Sequence, residues 1–515
     1  MIKSLYRKWI VWAVMIFGCF TVAACGKQTD TESIEATETE ISKMTESTDD
    51  TSSFTSEKAT EAEAERENTD VITVHTTEIT YSDKEIPVQY SEDLTLLDHM
   101  EQAGSSYAYR DGKVYYRQYH KDSFEEGAVY AYYEPSISGT DKEIVCVDAD
   151  GEKAVLFSDR GYGNIYLIGE RFYMTEMTED NTVIYSVDMQ GQNRIDHGCG
   201  IIQAVDTDKG VLIVETRILL ESWETTYSVL NCKSGEMISL NIDGYASLWF
   251  KAYHDGWCYF EACREKSDQI YRVVAVSLEG EQREIIALAP DNSEEYLTYS
   301  ESICEMKVVR DRIYLVFGGY AGSGSYFQGG TLITIKLDGS DYRAVELSFN
   351  ADVFCVCYDD DMPYVYFYYD YIEEEKNYYT SVWDVEADTV FLSDFPEQLL
   401  WAQLGASQYE DYKNARVFCV WHDAKYNVYA LPDDSSRIVQ VVTQIDDIIQ
   451  RDDDDEYNIN YKHFYYADGF LYFQVEYNIY SKEYSLGWRD GYIRFQTDVY
   501  RMKPDENLLE LLYSF

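Results

Sequence analysis

Ala252-Tyr253-His254-Asp255-Gly256-Trp257-Cys258-Tyr259-Phe260-Glu261-Ala262-Cys263 reads as a strand, a tight turn at Asp255-Gly256 and a second strand. Glycine supplies the positive φ that such a turn needs. A few residues later Ile270 to Val276, the turn Glu279-Gly280 and Glu284 to Leu288 make a second hairpin. Two linked hairpins form a four-stranded antiparallel unit, and the rest of the chain repeats it.

The first turn recurs at Asp111-Gly112, Gly169, Lys209-Gly210, Asp311-Arg312, Asp361-Met362 and Asp468-Gly469. Each precedes a run dense in apolar and aromatic residues, such as Ile313-Tyr314-Leu315-Val316 and Phe470-Leu471-Tyr472-Phe473. Val417 to Trp421 reads as the same second strand without its turn, which makes eight units. The second hairpin turn, counted separately, falls near Gly151, Gly191, Gly235, Gly280, Gly339, Ala387, Asp434 and Asp505, again eight. Spacings of roughly 40–50 residues, built from four strands, are the signature of a β-propeller. A strand buried on both faces between neighbouring blades loses its polar alternation. The expected fold is therefore all-β: a β-propeller of eight four-stranded antiparallel blades over 104–515, with seven as the alternative because the unit near 415–442 is irregular. Val71 to Tyr81 alternates as a strand should and is expected to close the ring against the last blade. Residues 71–103 thus read as an N-terminal strand and connection, with Leu94 to Met100 open between a short helix and a loop.

The chain's 515 residues carry 42 basic and 94 acidic side chains, a formal net charge of −52. Nucleic acid and anionic lipid surfaces demand the opposite sign, so no nucleic-acid partner is expected. The 49 tyrosines suit strands and half-buried surfaces. Nine of the 11 cysteines lie in the body, with no C-x-x-C pair. Cys146, Cys258, Cys355 and Cys357 read as small apolar fillers of strands.

At the N-terminus Lys3, Arg7 and Lys8 precede an apolar run from Trp9 to Phe20, short for a membrane span. Val22-Ala23-Ala24-Cys25-Gly26 then resembles the bacterial lipobox. That resemblance implies a signal peptide over 1–24 and a diacylglycerol on Cys25; an ordinary cleaved signal peptide is the alternative. It implies a cell-membrane location, lipid-anchored at the extracytoplasmic face. Residues 26–70 hold 14 acidic, 4 basic and 16 Ser or Thr residues. With so little apolar surface to bury, 25–70 reads as a disordered tether.

The repeats resemble uncharacterised propeller-repeat domains of bacterial lipoproteins, whose units carry a D-G-x-[IVL]-Y-[YF] strand and an I-Y-R-x-x-x-D-G hairpin. Such domains are distant relatives of the YWTD-type receptor propellers. The resemblance covers roughly 104–515 and implies fold rather than activity. The Tyr-Trp-Thr-Asp motif and the sialidase Asp-box are absent from the sequence.

In a propeller the B–C and D–A loops gather at one face, which by fold analogy binds ligand. Two B–C loops read as enlarged, 318–330 with Tyr320, Tyr326 and Phe327, and 477–491 with Tyr480, Tyr484 and Trp488. Tyrosine, serine and glycine on a rigid scaffold match a paratope in composition, and the six aromatics are the candidate ligand-binding residues. The simpler reading is that they cap blade edges. Asp452 to Asp455 and Asp359 to Asp361 offer hard oxygens for Ca²⁺ but lack EF-hand spacing; solvated loops explain them as simply. No cofactor is implied. The seven histidines show no paired spacing, and no nucleophile elbow, P-loop or dinucleotide fingerprint occurs. No catalytic residue is nominated. The sequence favours a non-enzymatic binding or scaffold module for a glycan, peptide or protein. An extracellular carbohydrate-active enzyme and an accessory or sensory subunit of a membrane complex are the alternatives.

Overall fold

The computed structural model describes residues 71–74, 81–82, 89–97, 107–119, 142–178, 181–219, 223–265, 269–290, 301–320, 327–347, 354–359, 362–372, 377–393, 417–422, 425–430, 437–445, 456–480 and 492–514. Their strands form eight sheets arranged as the blades of a propeller. Blade 1 is Tyr107–Arg110, Lys113–Tyr119, Lys142–Asp148 and Lys153–Asp159. Blade 2 is Tyr162–Ile168, Arg171–Met177, Thr182–Asp188 and Ile195–Cys199; blade 3 is Ile201–Asp206, Val211–Leu219, Trp223–Asn231 and Glu236–Ser239. Blade 4 is Ser247–His254, Trp257–Cys263, Tyr271–Ser277 and Gln282–Pro290; blade 5 is Glu301–Val309, Arg312–Tyr320, Phe327–Lys336 and Arg343–Leu347. Blade 6 is Phe354–Asp359, Met362–Ile372, Asn377–Asp384 and Thr389–Ser393; blade 8 is Glu456–Ala467, Phe470–Tyr480, Tyr492–Lys503 and Leu508–Ser514. These strands are lettered A to D in chain order. The A strands of neighbouring blades touch one another, which places them innermost.

The turn glycines do what the sequence asks of them. Asp255 (φ 43) and Gly256 (φ 83) are both left-handed, as a two-residue hairpin of this hand requires. Asp111-Gly112 and Asp468-Gly469 repeat the pair. The following B strand is apolar on both faces because both faces are covered: Cys258, Tyr259, Phe260 and Ala262 are fully buried. Cys258, Phe260 and Ala262 pack on blade 3, while Tyr259 packs on blade 5. Cys146, Cys258, Cys355 and Cys357 are buried thiols, as expected of fillers.

Blade 7 departs from the sequence reading. Val417–His422 is its A strand, not its B strand. Lys425–Ala430 and Arg437–Val442 follow, so Asp433-Asp434 lies between B and C rather than at the C–D turn. Among the described residues no D strand follows in the chain. Gln89–Ser91 takes that place, pairing parallel with Arg437 to Val439. The count of eight holds, although the eighth unit is assembled differently.

Val71 to Tyr81 does not close the ring on the last blade. Val71–Val74 lies parallel to Ala287–Pro290 on the outer edge of blade 4. Tyr81–Ser82 does the same against Val390–Phe391 of blade 6. Leu94–Leu97 is one 3₁₀ turn. Closure is made instead by packing of blade 8 on blade 1. Tyr107, Val114 and Tyr116 meet Tyr465, Tyr472, Val499 and Tyr513 in one apolar cluster. Tyr107 and Tyr465 stack with ring centroids 5.8 Å apart. Arg501 of blade 8 reaches across to donate to the carbonyls of Asp148 (2.9 Å) and Ala149 (3.2 Å).

Candidate functional site

Antiparallel strands put the end of B, the start of C, the end of D and the start of the next A on one face. That face carries the candidate site, in two layers. The lower layer is a set of polar residues set into otherwise apolar inner strands. At the fifth position of the B strand stand Arg117, Thr175, Glu215, Glu261 and Gln474, in blades 1, 2, 3, 4 and 8. These five blades are consecutive around the ring. In four of them the facing A strand is bulged at this level. The pairing slips between Tyr162 and Tyr166, Ile202 and Ala204, Phe250 and Ala252, and Lys462 and Tyr465. A bulge unpairs a carbonyl and re-aims a side chain. Blade 5 carries its bulge two residues further along, between Ile303 and Glu305.

Cations of one blade satisfy the carbonyls that such bulges release in the next. Arg117 Nη1 donates to the carbonyl of Gly163 in blade 2. Lys251 Nζ donates to that of Ile303 in blade 5. Lys307 Nζ follows with Phe354 of blade 6 at 2.7 Å, although no bulge is present there. Two of these cations, Arg117 and Lys251, also pair with buried carboxylates. Glu261 is 2.8 Å from Lys251. Glu215 accepts from Gln203 Nε2 at 2.9 Å and pairs with Arg217.

The fullest of these networks joins blades 1 and 2. Arg117 Nε donates to Asp159 Oδ2 at 2.9 Å, with the two side chains 8% and 3% exposed. Asp159 Oδ1 accepts from Gly161 N (3.0 Å) and from the Tyr185 hydroxyl. Lys142 Nζ reaches the carbonyl of Gly161 at 3.2 Å. Burial by itself would raise the Asp159 carboxyl. Arg117, Tyr185 and the Gly161 N–H outweigh it and hold the group below the ordinary carboxylate range. Burial and the adjacent carboxylate push the Tyr185 phenol far up, so it stays a donor. Gly161 is needed for close approach: a Cβ there would sit within 2.9 Å of Arg117 Nη2, Asp159 Oδ2 and the Tyr185 hydroxyl. Asp159 is thus held as an anion beside a buried cation. A general acid needs the opposite environment, one that raises its pKa. Among the described residues no three His, Cys, Asp or Glu side chains gather as metal ligands would.

The upper layer consists of B–C hairpins that rise above the rest. The B strands of blades 1, 2 and 4 have 7 residues and those of blades 3 and 5 have 9, whereas Met362–Ile372 of blade 6 and Phe470–Tyr480 of blade 8 have 11. Four extra residues add about 13 Å of strand. Of the regions read as long loops, 318–320 and 327–330 in blade 5 and 477–480 in blade 8 are strand. In blade 5, Tyr320 pairs with Phe327 across the hairpin. In blade 8, Tyr480 pairs with Tyr492. Tyr477, at the start of the second stretch, is buried, its hydroxyl 3.4 Å from that of Tyr500. Tyr320, Phe327 and Tyr480 are hence strand residues of two B–C hairpins. Tyr326, Tyr484, Trp488, the acidic runs 360–361 and 452–455, and Cys25 lie outside the described residues.

Sequence reasoning missed the lower layer, though its signal is visible. Tyr115-Tyr116-Arg117, Tyr173-Met174-Thr175, Ile213-Val214-Glu215, Tyr259-Phe260-Glu261 and Tyr472-Phe473-Gln474 each end an apolar pair on a polar residue at one register. The partners could not be read, because the bulges follow no residue type.

No family model matches the chain. No curated protein matches it. Among solved structures it is similar to the β-propeller domain of the trilobed protease from Pyrococcus furiosus, at 11% identity over 80% of this chain and 97% of that one, TM-score 0.35. It is similar to a puromycin hydrolase at 10% identity over 79% and 62%, TM-score 0.36. A chain of a nidogen–laminin complex follows at 11% over 48% and 89%, TM-score 0.25. The class is set by the strand pairing itself: this is an eight-bladed β-propeller protein.

Proposed function

We propose that the protein is a cell-surface lipoprotein, anchored through Cys25 and held off the membrane by 26–70, whose propeller is a non-enzymatic binding or scaffold module. It presents the B–C and D–A face to a glycan, peptide or protein. The observation that supports this most is the pairing of three buried carboxylates under that face. Asp159, Glu215 and Glu261 are each tied to a cation, an arrangement that holds strands in register and suits support better than proton transfer. The B–C hairpins of blades 5 and 8, with Tyr320, Phe327 and Tyr480 on their strands, are the contact elements in this reading. Tyr326, Tyr484 and Trp488, which lie outside the described residues, are the further candidates.

The experiment is a glycan and peptide array probed with the protein and with a Tyr320→Ala, Tyr326→Ala, Tyr484→Ala, Trp488→Ala variant. Aromatic stacking contributes about 0.5–1.5 kcal/mol per ring beyond burial, so four losses should remove detectable binding. Undiminished binding moves the site elsewhere, and turnover of an arrayed glycan replaces this reading with the carbohydrate-active enzyme. Cys25→Ala in the same chain should abolish lipid labelling and membrane retention. Labelling that persists refutes the anchor.

A further inference from the structure

The outer edges of three blades carry a strand that is not their own. In blades 4 and 6 the N-terminal arm is a fifth strand laid on a complete sheet. In blade 7 it is the fourth strand of a sheet that has three. The contact there is short and has two parts. Gln89, Tyr90 and Ser91 pair in parallel with Arg437, Ile438 and Val439. Six residues beyond Ser91, Leu97 is 2% exposed among Val439, Val441, Ile445 and Leu471, at the junction of blades 7 and 8. The segment between is folded on itself. Asp93 N donates to Ser91 Oγ at 3.1 Å, and Thr95 N to Asp93 Oδ1 at 3.1 Å, which caps the 3₁₀ turn that delivers Leu97. Tyr90, Glu92, Asp93, Thr95 and Leu96 face solvent. The acceptor edge itself is fully apolar behind the ladder, with Ile438, Val439, Val441 and Val442 buried.

We propose that the outer edge of blade 7 is a strand-acceptor site for extended peptides, and that residues 89–97 are its resident, displaceable occupant. An edge strand is a template for a further strand: main-chain hydrogen bonds hold it, and a side-chain pocket selects it. The resident lies more than 300 residues from blade 7 in sequence, and its backbone pairing is to this edge. Its hold includes three ladder residues, the Tyr90 ring 6.2 Å from that of Tyr429, and the buried Ser91 and Leu97, in the parallel geometry that pairs slightly less firmly. The ligand class is an extended segment, from a partner protein, that pairs over three residues and places an aliphatic side chain six residues later.

The test uses the full chain and a fluorescent peptide of residues 87–99. Leu97→Asp in the full chain empties the pocket, and this variant should bind the peptide at least 10-fold more tightly than the unaltered chain. A peptide bearing the same Leu97→Asp change should not bind it. Equal binding by variant and unaltered chain, or equal binding of both peptides, overturns the proposal. Hydrogen exchange on the unaltered chain decides the matter should the variant not fold. Amides of 89–91 should exchange at least 10-fold faster than those of Lys425–Ala430; equal protection shows the arm to be an inseparable part of blade 7 and overturns it.

Discussion

At the scale of the residue, the Arg117–Asp159–Tyr185 network shows why polar groups survive inside an apolar ring. A buried anion is costly unless it is paired and fully hydrogen-bonded. Asp159 has a guanidinium, a phenol and a backbone N–H around its two oxygens. Removing its charge leaves Arg117 buried without an anion, which costs about 3–5 kcal/mol. The pH dependence has a defined sign. The Asp159 carboxyl is lowered in the fold, so its contribution is complete above the ordinary carboxylate value, about 3.9. It is lost as the pH falls through the folded value. Asp159→Asn should therefore be less stable in urea at pH 7, with a deficit that shrinks below pH 4. A deficit of the same size at pH 3.5 would assign the loss to packing.

At the scale of the element, the hairpin turns fix the register of every blade, and their glycines are not equivalent. Gly256 (φ +83) has Lys209 Cε at 3.5 Å from where a Cβ would be, an ordinary contact, so alanine there meets backbone strain alone, about 1–2 kcal/mol. Gly191 (φ +72) lies against the Phe157 ring, which a Cβ would overlap. Gly191→Ala adds overpacking of about 1–3 kcal/mol to the same strain. Denaturation midpoints should rank Gly256→Ala above Gly191→Ala. The reverse order would show that the Phe157 ring moves aside freely.

At the scale of the whole molecule, the ring closes without a shared strand. Blade 8 is the last stretch of chain and blade 1 follows the arm; side chains alone join them. Tyr107, 1% exposed, stacks on Tyr465 at the centre of that seam. Tyr107→Ala should cost about 3–5 kcal/mol, as deletion of a buried aromatic does. It should also raise hydrogen exchange first in blades 1 and 8. A rise spread evenly to blades 4 and 5 would mean that the seam is no weaker than the others.

The sequence by itself determined the repeat, the strand type and the blade count, because a hairpin turn and a doubly buried strand are local requirements written in Asp-Gly pairs and runs such as Cys258-Tyr259-Phe260. It also showed polar residues at a fixed place in the B strands, without saying what they meet. Tertiary structure decided the rest. Gln89–Ser91 completing blade 7 is a pairing across more than 300 residues, and an edge strand of three residues carries no periodicity to announce its partner. The bulges opposite Glu215, Glu261 and Gln474 arise from how inner strands crowd at the axis, not from any residue type. The closing seam belongs to the ring alone, since Tyr107 and Tyr465 become neighbours once eight blades have turned through a full circle.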